Sequence, residues 1–372
     1  MKKDPYQHKE NYERWIKAVA GKKNVYGMNE RNSALFMIFL KDLQIGLNVS
    51  KSSKRGERSY IRLNTIRGKL AFVINKLEER GIEDITTATA RDLHTLFSDM
   101  RSGVIHTRYG LPYKSTGDYV KDFKTFWHWY QKVQKQNGVS IEDVTDDLDA
   151  RGSKPKFVYF TKEDFEQILE QASFDLKPLV VLAFDSGMRV TELLNIKISD
   201  FQDGYRELVI RDETSKTFGR RIKLMLCPEQ IKNYIRCIHL QKDDYLSDLK
   251  PVSINKELRE IGKKVLSAEQ IKYKNLTLKD FRHSSACFWL PRYKSESALK
   301  YRFGWKKSDM IHYYTEFLGM KDTINQDDMY VDITKTELEK EVERLNNDIQ
   351  VLKDSIRELI AAATKKNIIA DY

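Results

Sequence analysis

Apolar residues recur every three or four positions through most of this chain of 372 residues, and the breaks in that rhythm mark its elements. Residues 10–48 carry the rhythm in NSALFMIFLKDLQIGL, which predicts helix up to a polar, basic linker, KSSKRGERS, at 51–59. Three further helical patterns follow between Tyr60 and Gly138: TIRGKLAFVINKLEERG, TATARDLHTLFSDMRSG and STGDYVKDFKTFWHWYQKVQKQNG. The first and last end on glycine, a usual helix stop, and the second and third open near Ser/Thr caps. In the last, Tyr119, Phe123, Phe126 and Tyr130 fall at three- and four-residue steps, with Trp127 and Trp129 beside them. That stripe reads as core rather than as a base-stacking surface.

Residues 139–156 lose the periodicity and pass from acidic to basic, as a second linker would. Beyond it, FTKEDFEQILEQA opens on a Thr-x-x-Asp capping signature, and LKPLVVLAFDSGMRVTELLNI predicts a buried helix broken at Gly187 and followed by another. YRELVIRDETSKTFGRRIKLML alternates on either side of Thr-Ser-Lys-Thr-Phe-Gly, the pattern of a hairpin, and the stretch to residue 320 is mostly helical. In the tail, Leu338, Val342, Leu345, Ile349, Leu352, Ile356 and Leu359 alternate steps of four and three. With β-branched residues at one core position and leucine at the other, this heptad pattern favours a parallel two-stranded coiled coil. A single amphipathic helix docked on its own protein is the alternative.

Composition is that of a globular protein, 41% hydrophobic and 32% charged, with length enough for two or three cores. Charge adds more: 65 Lys+Arg against 54 Asp+Glu leave +11, an excess that draws the chain to polyanions and makes nucleic acid the leading partner class. No apolar run is long enough for a bilayer, and MKKDPYQHKENYER is too polar for a secretory leader, so a cytoplasmic, nucleoid-associated protein with no membrane partner is expected. Cys227, Cys237 and Cys287 are scattered, and no second pair supports a metal reading of Cys237-Ile238-His239. They are expected to be reduced, buried thiols; neither metal nor other cofactor is expected.

Several basic and aromatic residues then form an ordered set. Arg189 follows a glycine turn with Glu192 three residues on; Lys216 stands in the hairpin turn; Lys279 and Arg282 share a helix face; Trp305 follows Gly304, and Tyr314 comes nine residues later. Taken together, Gly187-Met188-Arg189-Val190-Thr191-Glu192-Leu193-Leu194, the hairpin Lys-Thr-x-Gly-Arg-Arg, Asp280-Phe281-Arg282-His283-Ser284, Gly304-Trp305 and Tyr314-Thr315 resemble the tyrosine recombinases, the phage-type integrases and Xer-like enzymes, over about residues 57–320. The chain departs from that family's common pattern at Lys279, where most members have histidine, and at Trp305, where many do. Lys279 and the RFGW phrase look most like archaeal and archaeal-virus integrases.

The resemblance implies a mainly α fold with a small β-hairpin: a helical (SAM-like) core-binding domain at 51–145 behind an N-terminal helical extension at 1–50, and an α+β catalytic domain at 156–330. A coiled-coil helix at 331–362 and a tail at 363–372 complete the expected organisation. It also implies roles. Arg189 and Arg282 clamp the nonbridging oxygens of a phosphodiester, Lys279 and Trp305 add donors, Lys216 protonates the leaving 5′-oxygen, and Glu192 orients Arg189. Tyr314 is the nucleophile that forms a 3′-phosphotyrosine, while Tyr313, about 100° away on a helix, packs, as do His283 and His312. The implied partners are double-stranded DNA at an attachment or crossover site and further copies of the chain, four in a synaptic complex. The implied activity is site-specific recombination, as in integration or excision of a mobile element. A Xer-like resolvase, a type IB topoisomerase-like activity and a DNA-binding protein that lost its chemistry are the alternatives.

Overall fold

The computed structural model describes residues 3–22, 24–49, 56–152, 159–265, 275–293, 295–318, 342, 344–353 and 356. The chain divides into two compact units, Met1–Ile311 and His312–Tyr372.

The first unit contains two hydrophobic cores. One is built by α1 (His8–Lys22), α2 (Glu30–Ile45), α3 (Tyr60–Glu78), α4 (Ala90–Ser102) and α5 (Thr116–Gln136). Phe123 and Phe126 of α5 are fully buried with Trp127 and Trp129, so the aromatic stripe is core, meeting Phe39 of α2 edge-on at 5.2–5.4 Å. Helices α1 and α2 share this core with α3–α5.

The other core is built by α6 (Lys162–Gln171), α7 (Lys177–Ser186), α8 (Val190–Leu193), β1 (Phe201–Gln202), β2 (Glu207–Ile210), β3 (Arg220–Lys223), α9 (Pro228–Cys237), α10 (Pro251–Val265) and α11 (Leu278–Trp289), and α12 (Glu296–Phe303) follows α11 in the chain. The expected capping box forms at Thr161 and Asp164, and α7 stops at Gly187 as its sequence predicts. The three strands run antiparallel in the order β1-β2-β3, with Leu208 opposite Ile222 and Ile210 opposite Arg220. Two details differ from expectation. The hairpin connection is the longer loop 211–219, because Asp212 turns back to accept from Gly219 N–H at 2.6 Å. The third strand, β1, is too short to show alternation.

A segment before α1 joins the two lobes. Asn195 clasps Lys3 through both backbone groups, accepting from its N–H at 2.6 Å and donating to its carbonyl at 3.2 Å, while Lys3 Nζ lies 3.6 Å over the Tyr245 ring. A few residues on, Asn64 of α3 donates to the His8 carbonyl at 2.7 Å.

Helix α13 (Asp309–Phe317) leads into the second unit. There residues 344–353 are helical, and Val342, Leu345, Ile349, Leu352 and Ile356 are all about half exposed or more. Leu338 and Leu359 of the heptad series lie outside the described residues.

Candidate active site

Arg189 stands at the N-cap of α8, just after the turn at Gly187. Gly187 takes φ +62°, and a Cβ there would come within 2.2 Å of the Phe303 ring, so glycine alone lets the chain turn this close to the end of α12. The Arg189 main-chain N–H donates to Glu192 Oε2 at 2.9 Å, and its Nη1 donates to Oε1 at 2.9 Å. One carboxylate thus grips both ends of the residue. Arg189 Nη2 donates to the Gly304 carbonyl at 2.9 Å.

Arg282 projects from α11 to the same corner. Its Nη1 donates to the Gly187 carbonyl at 2.5 Å and its Nη2 to the Phe303 carbonyl at 2.8 Å. The guanidinium lies over the rings of Phe303 and Trp305, which are stacked on each other at 4.6 Å. A third arginine, Arg220 at the start of β3, donates from Nε to the Arg302 carbonyl at 2.8 Å. Three consecutive carbonyls, 302 to 304, therefore accept from three different arginines. The last carbonyls of a helix lack partners within it and carry the negative end of its dipole, so cationic donors suit them.

Glu192 is the most enclosed member of the group. It is fully buried and also accepts from Ser215 Oγ at 2.9 Å and from Arg220 Nη2 and Nη1 at 2.8 and 3.2 Å. Burial pushes its carboxyl up, but the bonds and charges of Arg220 and Arg189 outweigh burial and hold it at about 2. A second buried pair lies nearby: Arg302 meets Asp185 at 3.0 Å, and Asp185 Oδ2 accepts the main-chain N–H groups of Met225, Leu226 and Cys227 where α9 begins.

Lys216 is exposed in the loop between β2 and β3. With Arg189 it lines a cleft of about 720 Å³, whose other side carries Tyr6 and, from the start of α3, Tyr60 and Arg62. Thr217 Oγ1 ties this loop to the Gly304 carbonyl at 3.1 Å. Lys279 is exposed on α11, one turn before Arg282. Trp305 is buried. The structure thus gathers Arg189, Glu192, Arg282 and Trp305 at one corner, sets Lys216 at the edge of the cleft, and turns Lys279 to the surface.

Tyr314 belongs to the second unit. It is buried and meets the Tyr313 ring edge-on at 5.3 Å, whereas Tyr313 is half-buried and His312 exposed. Of the two rings, that of Tyr314 is the more enclosed. His283 is buried, and burial followed by the charges of Lys279 and Arg282 lowers it to about 4, leaving a neutral imidazole at pH 7. Among the described residues no group of three or more His, Cys, Asp or Glu could hold a metal ion.

Thr217 and Arg220 stand within the hairpin phrase Lys-Thr-x-Gly-Arg-Arg, in which the resemblance gives a role to Lys216 alone. A signal for Arg220 exists: in the alternating strand Arg220-Arg221-Ile222-Lys223, one of two adjacent arginines must face inward with Ile222, and a buried charge requires a partner.

Residues 159–319 match the phage integrase family. No curated protein sequence matches the chain significantly. Among solved structures, a lambda integrase dimer bound to a COC′ core site is similar, at 16% identity with a TM-score of 0.55, over 79% of this chain and 98% of that one. A lambda integrase tetramer bound to a Holliday junction gives 16% and 0.55 over 82% and 80% of the two chains. The Tn1549 transposon integrase with circular intermediate DNA gives 15% and 0.53 over 79% and 97%. Likeness at this identity establishes the fold alone, and the family match, confined to residues 159–319, agrees with it.

Proposed function

We propose that this protein is a site-specific recombinase that cleaves and rejoins duplex DNA through a covalent 3′-phosphotyrosine on Tyr314, and that it integrates or excises a mobile element. The observation that carries this reading is the pair Arg189 and Arg282, held by adjacent carbonyls at the end of α12. Two guanidiniums fixed side by side suit the nonbridging oxygens of a phosphodiester, where negative charge grows during in-line attack. Tyr314 Oη bonds to phosphorus and its phenol proton is released. The bond to the 5′-oxygen breaks, and Lys216 protonates the departing oxygen. Phosphotyrosine preserves the bond energy, so a 5′-hydroxyl attacking in reverse reseals the strand. Lys279 and Trp305 add donors to the phosphate.

Lys279 and the RFGW phrase favour an archaeal virus, plasmid or integrated element as the source. Duplex DNA occupies the cleft bordered by Arg189, Lys216 and Arg62, and exchange between two duplexes requires four protomers. The tail supplies a self-association surface. With Val342, Ile349 and Ile356 at one core position and Leu345 and Leu352 at the other, it suits a parallel pair, in which Asp348 of one strand faces Lys353 of the next. Leu345→Lys with Leu352→Lys is expected to lower the mass seen by sedimentation; an unchanged mass removes the tail from assembly.

A nicked suicide duplex carrying the element's attachment site tests the chemistry. Wild type and Tyr313→Phe are expected to give a DNA-shifted protein band on a denaturing gel, and Tyr314→Phe none. Site binding by wild type with no band would make the protein a DNA binder without catalysis.

A further inference from the structure

We infer that Arg220 is a positioning residue that acts as the counter-ion of Glu192 and so leaves the positive charge of Arg189 available to the phosphate. The inference rests on the recombinase reading and assigns a role to a residue that never meets DNA, since the Arg220 side chain is fully buried.

Glu192 and Arg189 alone would be a neutral pair, with the clamp's cation spent on a buried anion at 2.9 Å. Arg220 changes that sum: it meets the same carboxylate through two nitrogens, at 2.8 and 3.2 Å, so the trio carries one net positive charge. Of the two arginines, Arg189 is the one that lines the cleft. The trio's excess charge is therefore presented where a phosphate can reach it.

Geometry adds a second part. Arg220 Nε holds the Arg302 carbonyl, and a Cβ on Gly304, whose φ is +60°, would fall 2.9 Å from Arg220 Nη1. Arg220 thus packs directly under the turn whose next carbonyl, that of Gly304, receives Arg189 Nη2. Through Glu192 it fixes one side of the Arg189 guanidinium, and through the 302–304 turn it fixes the other. A buried ion pair contributes little stability compared with a well-packed apolar pair, so the value of this one lies in where it puts charge.

The test uses full-length protein and a suicide duplex in two forms, one with a normal scissile phosphate and one with a neutral methylphosphonate there. Single-turnover cleavage, duplex binding and thermal unfolding are compared for wild type, Arg220→Met, Arg220→Lys and the double variant Arg220→Met with Glu192→Gln. With Arg220→Met, cleavage of the normal phosphate is expected to fall about 100-fold, while duplex binding changes less than about threefold. On methylphosphonate, which develops less charge for Arg189 to meet, the loss should shrink to about fivefold or less. Arg220→Lys, which keeps the charge and loses the fork, should retain at least about a tenth of the activity. The double variant should recover about tenfold over Arg220→Met, since its uncompensated carboxylate is gone.

Equal losses on both substrates would make Arg220 a merely structural residue and overturn the inference, as would no loss at all. If Arg220→Met does not fold, the lysine and double variants decide: a substrate-independent loss in both also overturns it. A wild-type protein that forms no covalent complex defeats the recombinase reading and the inference together. A wild type that does form one, with Arg220→Met its equal, defeats the inference alone.

Discussion

Two buried carboxylates, one in each lobe of the first unit, sit beside arginines and yet are driven in opposite directions. Asp122, on α5, lies 2.5 Å from Arg62 and 4.0 Å from Lys69, and burial raises its carboxyl despite them. Glu192 is more enclosed, yet its carboxyl falls to about 2. The difference is in the donors. Arg62 is partly exposed, so its pull on Asp122 is screened by solvent, and Asp122 Oδ2 has no hydrogen-bond partner. Glu192 receives two guanidiniums, a hydroxyl and a main-chain N–H. A buried anion is stabilised by the completeness of its shell rather than by the presence of a cation. The helical lobe, built on aromatic packing, tolerates an incomplete shell. The other lobe does not, because Glu192 fixes an arginine at the candidate site.

The comparison breaks most visibly if Glu192 is replaced. Glu192→Leu leaves Arg220 buried without its partner and should cost about 3–5 kcal/mol of unfolding free energy by urea titration. A cost below about 1 kcal/mol would show that the shell is not needed for stability. Asp122→Asn should change stability by about 1 kcal/mol or less, in either direction, because it removes a charge that was poorly served. The sharpest test is the pH dependence. Glu192 is depressed in the fold, so its contribution is present above the ordinary carboxylate range and is lost as pH falls toward 2. Asp122 is raised, so its contribution is complete below that range and is lost as pH rises through its folded value. From pH 7 to pH 3, wild type should therefore lose stability relative to Glu192→Gln and gain it relative to Asp122→Asn. Slopes of the same sign would refute the contrast.

Sequence alone carried a good part of the architecture, for reasons visible in particular residues. The aromatic stripe on α5 was legible because Phe123 and Phe126 repeat at helical spacing, and the end of α7 because Gly187 breaks a continuous apolar run. Strand β1 was not, since two residues cannot display a period of two. The candidate site divided similarly. Arg189, Lys216 and Arg282 stood out through an ordered resemblance, whereas Arg220 was hidden beside Arg221 until strand pairing set which of the two faces inward. Contacts such as Lys3 with Asn195 were beyond reach, because local pattern says nothing about partners 192 positions apart.

The acceptors for Arg220, Arg282 and Arg189 at residues 302 to 304 are main-chain oxygens, and this has a consequence for how the protein can vary. A base change in the gene can delete any of the three donors, but it cannot delete a carbonyl. Side chains around the turn are thus open to drift so long as the backbone path survives, with Gly304 the position where a substitution strikes the path itself. Half of this apparatus is heritable only as shape. Comparing letters between distant relatives will undercount what they share.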